Sequence, residues 1–152
     1  MRRVLLASLV ILAQVLGAGC GPSFDLRKAE KLMEKGRWDE ADRLLDGVVE
    51  SHAKSESGQK ALMLKGCSLF KRSRYEEAET TLIAARDLLP EGKWADDCEY
   101  YLARVLFKRG AREEAVNGYR RVLTAYGDNP DRSNWKIRAM EEIEYIEKMT
   151  ES

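Results

Sequence analysis

Three stretches of this chain, 37 residues apart, repeat one arrangement of small, apolar and acidic residues, and that periodicity sets what the chain can fold into. The stretches are Gly36-Arg37-Trp38-Asp39-Glu40-Ala41, Ser73-Arg74-Tyr75-Glu76-Glu77-Ala78 and Gly110-Ala111-Arg112-Glu113-Glu114-Ala115. Before each lies an apolar pair, Leu32-Met33, Leu69-Phe70 or Leu106-Phe107, and three positions earlier a small residue, Ala29, Gly66 or Ala103. After each come Leu45, Leu82 or Tyr119, and then Val48, Ala85 or Val122. A small residue followed by Leu and Phe or Met places one apolar stripe on a helix. Gly or Ser then ends that helix, and an acidic pair opens the next, where negative charge suits the helix dipole. The unit is a helical hairpin whose small residues let two backbones approach. No such hairpin buries both its faces alone, so neighbours must stack.

These residues resemble the tetratricopeptide repeat, whose unit is 34 residues. The middle unit matches at Gly66, Phe70, Tyr75, Ala78, Leu82, Ala85 and Pro90. The third matches at Leu102, Ala103, Phe107, Gly110, Ala115 and Tyr119, and departs at Arg112, where an aromatic is expected, and at Gly127, where proline is. The first matches at Ala29, Gly36, Trp38 and Ala41, with Lys28 where leucine is usual. The resemblance implies an all-α solenoid of about three hairpins, at 24–53, 58–90 and 95–127. The extra residues of the longer period fall in loops such as 53–57 and 126–130. After Pro130, Ser133 or Asn134 can cap one more helix to about Met149, with apolar positions at Trp135, Ile137, Met140, Ile143, Tyr145, Ile146 and Met149. Such a helix would close the open end of the array over a domain spanning 24–149.

The first twenty residues follow a different plan. Arg2 and Arg3 precede an apolar run from Val4 to Leu16, then Gly17, Ala18, Gly19 and Cys20. This is the layout of a secretory signal. The run falls short of the roughly 20 residues that span a bilayer as a helix, which disfavours a transmembrane anchor. Its end resembles a bacterial lipobox, although Gly17 stands where leucine is usual and Leu16 sits one position further back. The resemblance implies removal of 1–19, a covalent diacylglycerol and acyl lipid on Cys20, and a short tether, 20–23. The alternative is an ordinary signal in which Cys20 is incidental. Gly21 rather than Asp after the cysteine favours the outer membrane under the family's sorting rule. A lipobox ahead of lengthened repeats is similar to the BamD-type lipoproteins and to the repeat domain of the Tol-Pal-associated coordinator protein.

Chemistry is sparse. His52 is the sole histidine, so a multi-histidine metal cluster is out of reach. No phosphate-binding loop or nucleophile elbow occurs. The carboxylate pairs Glu76-Glu77, Asp96-Asp97, Glu113-Glu114 and Glu141-Glu142 read as solvated helix faces. No catalytic residue, metal, other cofactor or small-molecule substrate is expected. Basic and acidic residues number 26 each, so nothing drives binding to nucleic acid. A periplasmic address permits a disulfide, but Cys67 and Cys98 sit six positions apart in repeat register, about 9 Å along a helix axis. Buried free thiols fit better, although Lys65 and Lys71 leave a lowered-pKa Cys67 open.

The resemblance places function on the concave face, lined by the first helix of each hairpin. The positions carried over are Leu26, Glu30 and Met33; Met63, Cys67, Phe70 and Lys71; and Tyr100, Arg104, Phe107 and Lys108. Apolar and cationic residues interleave there, which suits a peptide with apolar anchors and some negative charge. Met33, Phe70 and Phe107 read equally well as core. Lys71, Arg104 and Lys108 form a candidate basic strip, or else ordinary solvated cations paired with Glu76 or Asp97. The expected partners are envelope proteins or peptides, with the membrane met through the lipid anchor only. The chain is then a periplasmic interaction scaffold on the outer membrane, or alternatively an obligate subunit of an envelope assembly or secretion machine.

Overall fold

The computed structural model describes residues 21–124 and 133–150. The signal segment, Cys20 and the 126–130 loop lie outside them. The described residues form seven helices: α1 Pro22–Glu34, α2 Trp38–Ser51, α3 Glu56–Lys71, α4 Tyr75–Leu88, α5 Ala95–Lys108, α6 Arg112–Thr124 and α7 Ser133–Thr150. Each helix packs on the next, and α1, α3 and α5 also touch in sequence. This is the solenoid of three hairpins expected from the repeat. The first helix starts two residues before the expected start of the repeat domain at 24. Helix α1 already begins at Pro22, whose ring presets φ for the first helical position.

The three hairpin turns share one hydrogen-bond pattern. The Arg37 amide donates to the Leu32 carbonyl and the Gly36 amide to Met33; Arg74 and Ser73 repeat this onto Leu69 and Phe70, and Ala111 and Gly110 onto Leu106 and Phe107. This is a Schellman closure, which needs a left-handed residue after the helix. Gly36 and Gly110 supply it at φ 70° and 85°, and Ser73 adopts it at φ 60° despite its side chain.

Inside each hairpin the small residues do what their spacing required. Ala29, Ala41, Ala78, Ala103 and Ala115 have no exposed surface. Gly66 faces the fully buried Leu82 so closely that an added Cβ would lie 2.5 Å from Leu82 Cγ. One apolar core runs from Leu26 in α1 to Val105 in α5, and a second joins α5, α6 and α7 around Tyr119, Ala139 and Ile146.

Ion pairs lock consecutive hairpins in the same register. Arg72 reaches Asp39 (3.2 Å) and Asp42 (2.6 Å), and Ser68 donates to Asp42 at 3.0 Å. One repeat on, 37 residues later, Arg109 holds Glu76 and Glu79 in the same way. The first set is the better shielded, with the Arg72 and Asp42 side chains 19% and 17% exposed. Arg72→Met is expected to cost about 1–2 kcal/mol and Arg109→Met under about 1 kcal/mol. Urea denaturation of the two variants checks that order, and an equal loss would contradict it.

Helix α7 caps the array less cleanly than its apolar pattern implied. Ala139 and Ile146 are buried against α6, with Trp135 and Ile143 half-buried beside them. Ile137 and Met140 remain 54% and 60% exposed, and Tyr145 and Met149 are exposed as well. Helical geometry explains the difference. Ile137 and Met140 point away from the side that carries Ala139 and Ile146, and a small alanine, invisible to a count of large apolar residues, sets the packing face.

Candidate functional site

The first helices of the hairpins, α1, α3 and α5, line one side of the solenoid, and a groove of ≈ 300 Å³ runs between them. Its walls are Glu30, Met33 and Glu34 from α1, then Lys60, Met63, Leu64, Cys67 and Lys71 from α3. Trp94, Asp97 and Tyr101 complete it from the third repeat. A second hollow of ≈ 350 Å³ shares Lys60 and Trp94 and extends past Leu26 and Arg27 to Lys93. The floor is sulfur-rich and apolar, with Cys67 Sγ 3.7 Å from Met63 Sδ.

The rim is mixed in charge. Lys60 bridges to Glu30 at 2.8 Å and stands 4.7 Å from the Trp94 ring centre, with the Lys93 ammonium 5.4 Å from the same ring. Lys71 lies 5.9 Å from the Trp38 ring. A cation near an aromatic face gains from the ring quadrupole while leaving ring edges open to a ligand. Trp94 owes its place to Gln59. That buried side chain donates to the carbonyls of Ala85 (3.1 Å) and Leu89 (2.7 Å), and its oxygen accepts from the Trp94 amide at 3.4 Å.

The residues singled out from sequence do not all reach one groove. Met63 and Lys71 line the groove, with Glu30, Met33 and Cys67. Tyr100 does not. It is 4% exposed and packs among Tyr101, Tyr119 and Trp135, because α7 covers that end of α5. Phe70 and Phe107 are half-buried, the first tilted on Tyr75 and the second edge-on to Tyr145. The basic strip is not a row of extended cations. Arg104 lies over Phe70 at 4.9 Å and near Tyr100 and Tyr101 at 6.0 and 5.9 Å, while Lys108 is exposed one turn beyond. Glu76 is engaged by Arg109.

Sequence reasoning missed Lys60, Trp94, Asp97 and Tyr101. The periodic template has no fixed aromatic at these places, and Trp94 belongs to the loop before α5. Adjacent aromatics at Tyr100-Tyr101 were the available signal, read one residue out of register.

Cys67 and Cys98 are free and buried. Burial pushes the Cys67 thiol well up from its ordinary value; the nearby Cys98 and Asp97 add to this, and a hydrogen bond with Tyr101 opposes it. Burial likewise raises Cys98 to about 12, with Asp97 contributing. This is the opposite of an activated nucleophile. Tyr101 and Tyr119 are raised by burial too. The folded chain keeps these protons at pH values where the unfolded chain has released them. No stability is lost to these groups below the ordinary thiol value of 9.0. Above it the unfolded state gains by ionising, and the urea midpoint is expected to fall steadily between about pH 9 and pH 11. A midpoint that stays flat across that range would contradict the buried, protonated assignment.

Comparison with known proteins agrees with this architecture. Residues 97–129 match the family model described as tetratricopeptide repeat. No curated protein sequence matches the chain. Among solved structures, the type III secretion translocator chaperone SycD of Yersinia enterocolitica, in an alternative dimer, superposes with a TM-score of 0.76. It is 13% identical over 86% of this chain and 95% of SycD. SycD in complex with a peptide of the translocator YopD superposes at 0.72, also 13% identical, over 86% of this chain and 94% of the other. The first repeat domain of Spaghetti, bound to an HSP90 peptide, gives 0.68 at 18% identity over 86% and 94%. At these identities the likeness is one of fold: an all-α, tetratricopeptide-like solenoid.

Proposed function

We propose that this chain is a lipid-anchored scaffold of the bacterial envelope that captures an extended or helical segment of a partner protein along the α1–α3–α5 groove. The observation that carries the reading is the groove itself, an apolar floor of Met33, Met63, Leu64 and Cys67 flanked by Trp94 and Tyr101. Apolar pockets beside aromatic walls are where peptide side chains anchor, and polar rim groups set register. The peptide complexes of SycD and Spaghetti support it by fold, since both hold a segment of another protein. The signal-like segment and the cysteine at position 20 support the anchor and the envelope address.

Two measurements test the two halves. The intact mass of protein extracted from membranes is expected to lack residues 1–19 and carry lipid on Cys20. An unprocessed chain, or a soluble product without lipid, defeats the anchor. Crosslinking capture from envelope membranes is expected to yield a protein partner whose crosslinked peptide maps to the groove.

A second reading, an obligate subunit of an envelope assembly or secretion machine, is favoured by one observation. Ile137, Met140, Tyr145 and Met149 leave α7 with exposed apolar surface at the end of the array. Large apolar exposure marks a contact surface. A free scaffold stays monodisperse when purified alone, whereas an obligate subunit aggregates or retains its partner.

A further inference from the structure

We infer that the outer face of α1 is a membrane-docking surface for anionic phospholipid, holding the solenoid against the bilayer in one orientation; the inference builds on the anchor at Cys20. Successive helical residues turn by about 100°, so Arg27, Lys28, Lys31 and the C-cap Lys35 all fall within about 60° of Phe24. Every one of these side chains is exposed, Phe24 to 48%. The opposite side of α1 carries the buried Leu26, Ala29, Leu32 and Met33. Of the three carboxylates of the helix, Glu30 is bridged to Lys60 and Glu34 lines the groove, while Asp25 borders the strip beside Lys28 in the first turn.

Arg27 donates to the Ser23 carbonyl at 3.3 Å, and none of the four cations makes an ion pair among the described residues. Glu40, whose charge Lys28 senses, is already held by Arg37 through two bonds of 2.6 Å. Phe24, Arg27, Lys28 and Lys31 instead line a shallow hollow of ≈ 310 Å³. The strip concentrates positive charge on a chain with equal numbers of acidic and basic residues. It is the composition that lies in a headgroup layer, with the ring at the interface and the cations on the phosphates.

Chain length brings the start of this strip close to the anchor. Only Gly21 separates Cys20 from Pro22, and two residue steps span at most about 7 Å. The Debye length at physiological salt is about 8 Å. A lipid on Cys20 therefore holds the start of α1 within range of headgroup charge. The concave groove lies round the other side of α1 at Met33, with Arg27 at the border between the two faces.

The test uses the acylated protein, as extracted, in vesicles of phosphatidylcholine alone or mixed with phosphatidylglycerol. Lysine acetylation is followed site by site by mass spectrometry. Labelling of Lys28, Lys31 and Lys35 is expected to slow by roughly five-fold in the phosphatidylglycerol vesicles and to recover in molar salt. Lys54 and Lys108 should label alike in both. The Phe24→Ser, Arg27→Glu variant should lose the protection of Lys31 and Lys35 with its thermal melt unchanged. Equal rates in the two lipids would overturn the inference. So would protection in neutral vesicles that grows with protein density, which assigns the face to a second copy. The intact mass of the same sample reads the anchor separately: with an unacylated product, labelling of the processed chain with vesicles added still decides the fate of the α1 face.

Discussion

Gly66→Leu is expected to cost about 3 kcal/mol, a large share of the stability of a domain this size. Gly66 lies in α3 where it crosses α4, and a Cβ there would stand 2.5 Å from Leu82 Cγ and 2.7 Å from Cδ2. Leu82 has no exposed surface and cannot swing away. The hairpin must open, or Leu82 must leave its rotamer. Ala78→Leu, at a buried position of the facing helix, should cost about 1–3 kcal/mol by the same overpacking. Gly47→Ala in α2 is the control. Nothing lies within 4 Å of its added Cβ, so the higher helix propensity of alanine should stabilise by up to about 1 kcal/mol. Thermal and urea melts of the three variants check the ordering. If Gly66→Leu melts with wild type, the helix register inside the repeat is wrong.

The second large effect is on binding. Trp94→Ala combined with Tyr101→Ala is expected to weaken partner affinity by roughly 100-fold or more, because buried aromatic anchors each contribute on the order of 2 kcal/mol. Both rings stand at the groove wall and also pack against the core, so a thermal melt of the variant accompanies the titration to separate lost contacts from lost stability. Charge reversal at Lys71 and Lys108 should lower affinity less, and high salt should shrink the difference from wild type. Arg104 belongs in a separate experiment. Its guanidinium packs over Phe70, so reversal there also disturbs the surface that holds the aromatic. Titration of the captured peptide against each variant separates these effects. Unchanged affinity in the double aromatic variant would move the binding site to the second helices or to α7.

The architecture was legible in the sequence because it rests on periodicity. The 37-residue spacing places Ala41, Ala78 and Ala115 at the same buried point of three hairpins, and glycine marks two of the three left-handed turns. Ser73 stands at the third, where the backbone tolerates a serine that shared register alone suggested. Single-residue facing was less legible. Tyr100 and Tyr101 are neighbours on a helix about 100° apart, and only the position of α7 decides which is covered. Gln59 resembles any polar residue near a helix start, yet its three backbone partners fix the loop carrying Trp94. Ile137 and Met140 read as core because they are large and apolar, while Ala139 takes the buried place. Long-range contacts of this kind leave no local pattern. The cationic strip on α1 was readable in principle, since Phe24, Arg27, Lys28, Lys31 and Lys35 follow helical spacing. What hid it was that Lys28 reads first as a departure from the repeat.

The most direct test of the central claim is site-specific photocrosslinking in living cells. A photoreactive residue replaces Lys60 or Lys71 at the groove rim, and Thr80 or Asn117 on the exposed sides of α4 and α6. The account predicts crosslinks to one envelope protein from Lys60 and Lys71, both ending in the same short segment of that partner, with little or none from Thr80 and Asn117. Crosslinks that form from Thr80 and Asn117 while Lys60 and Lys71 stay silent would contradict it.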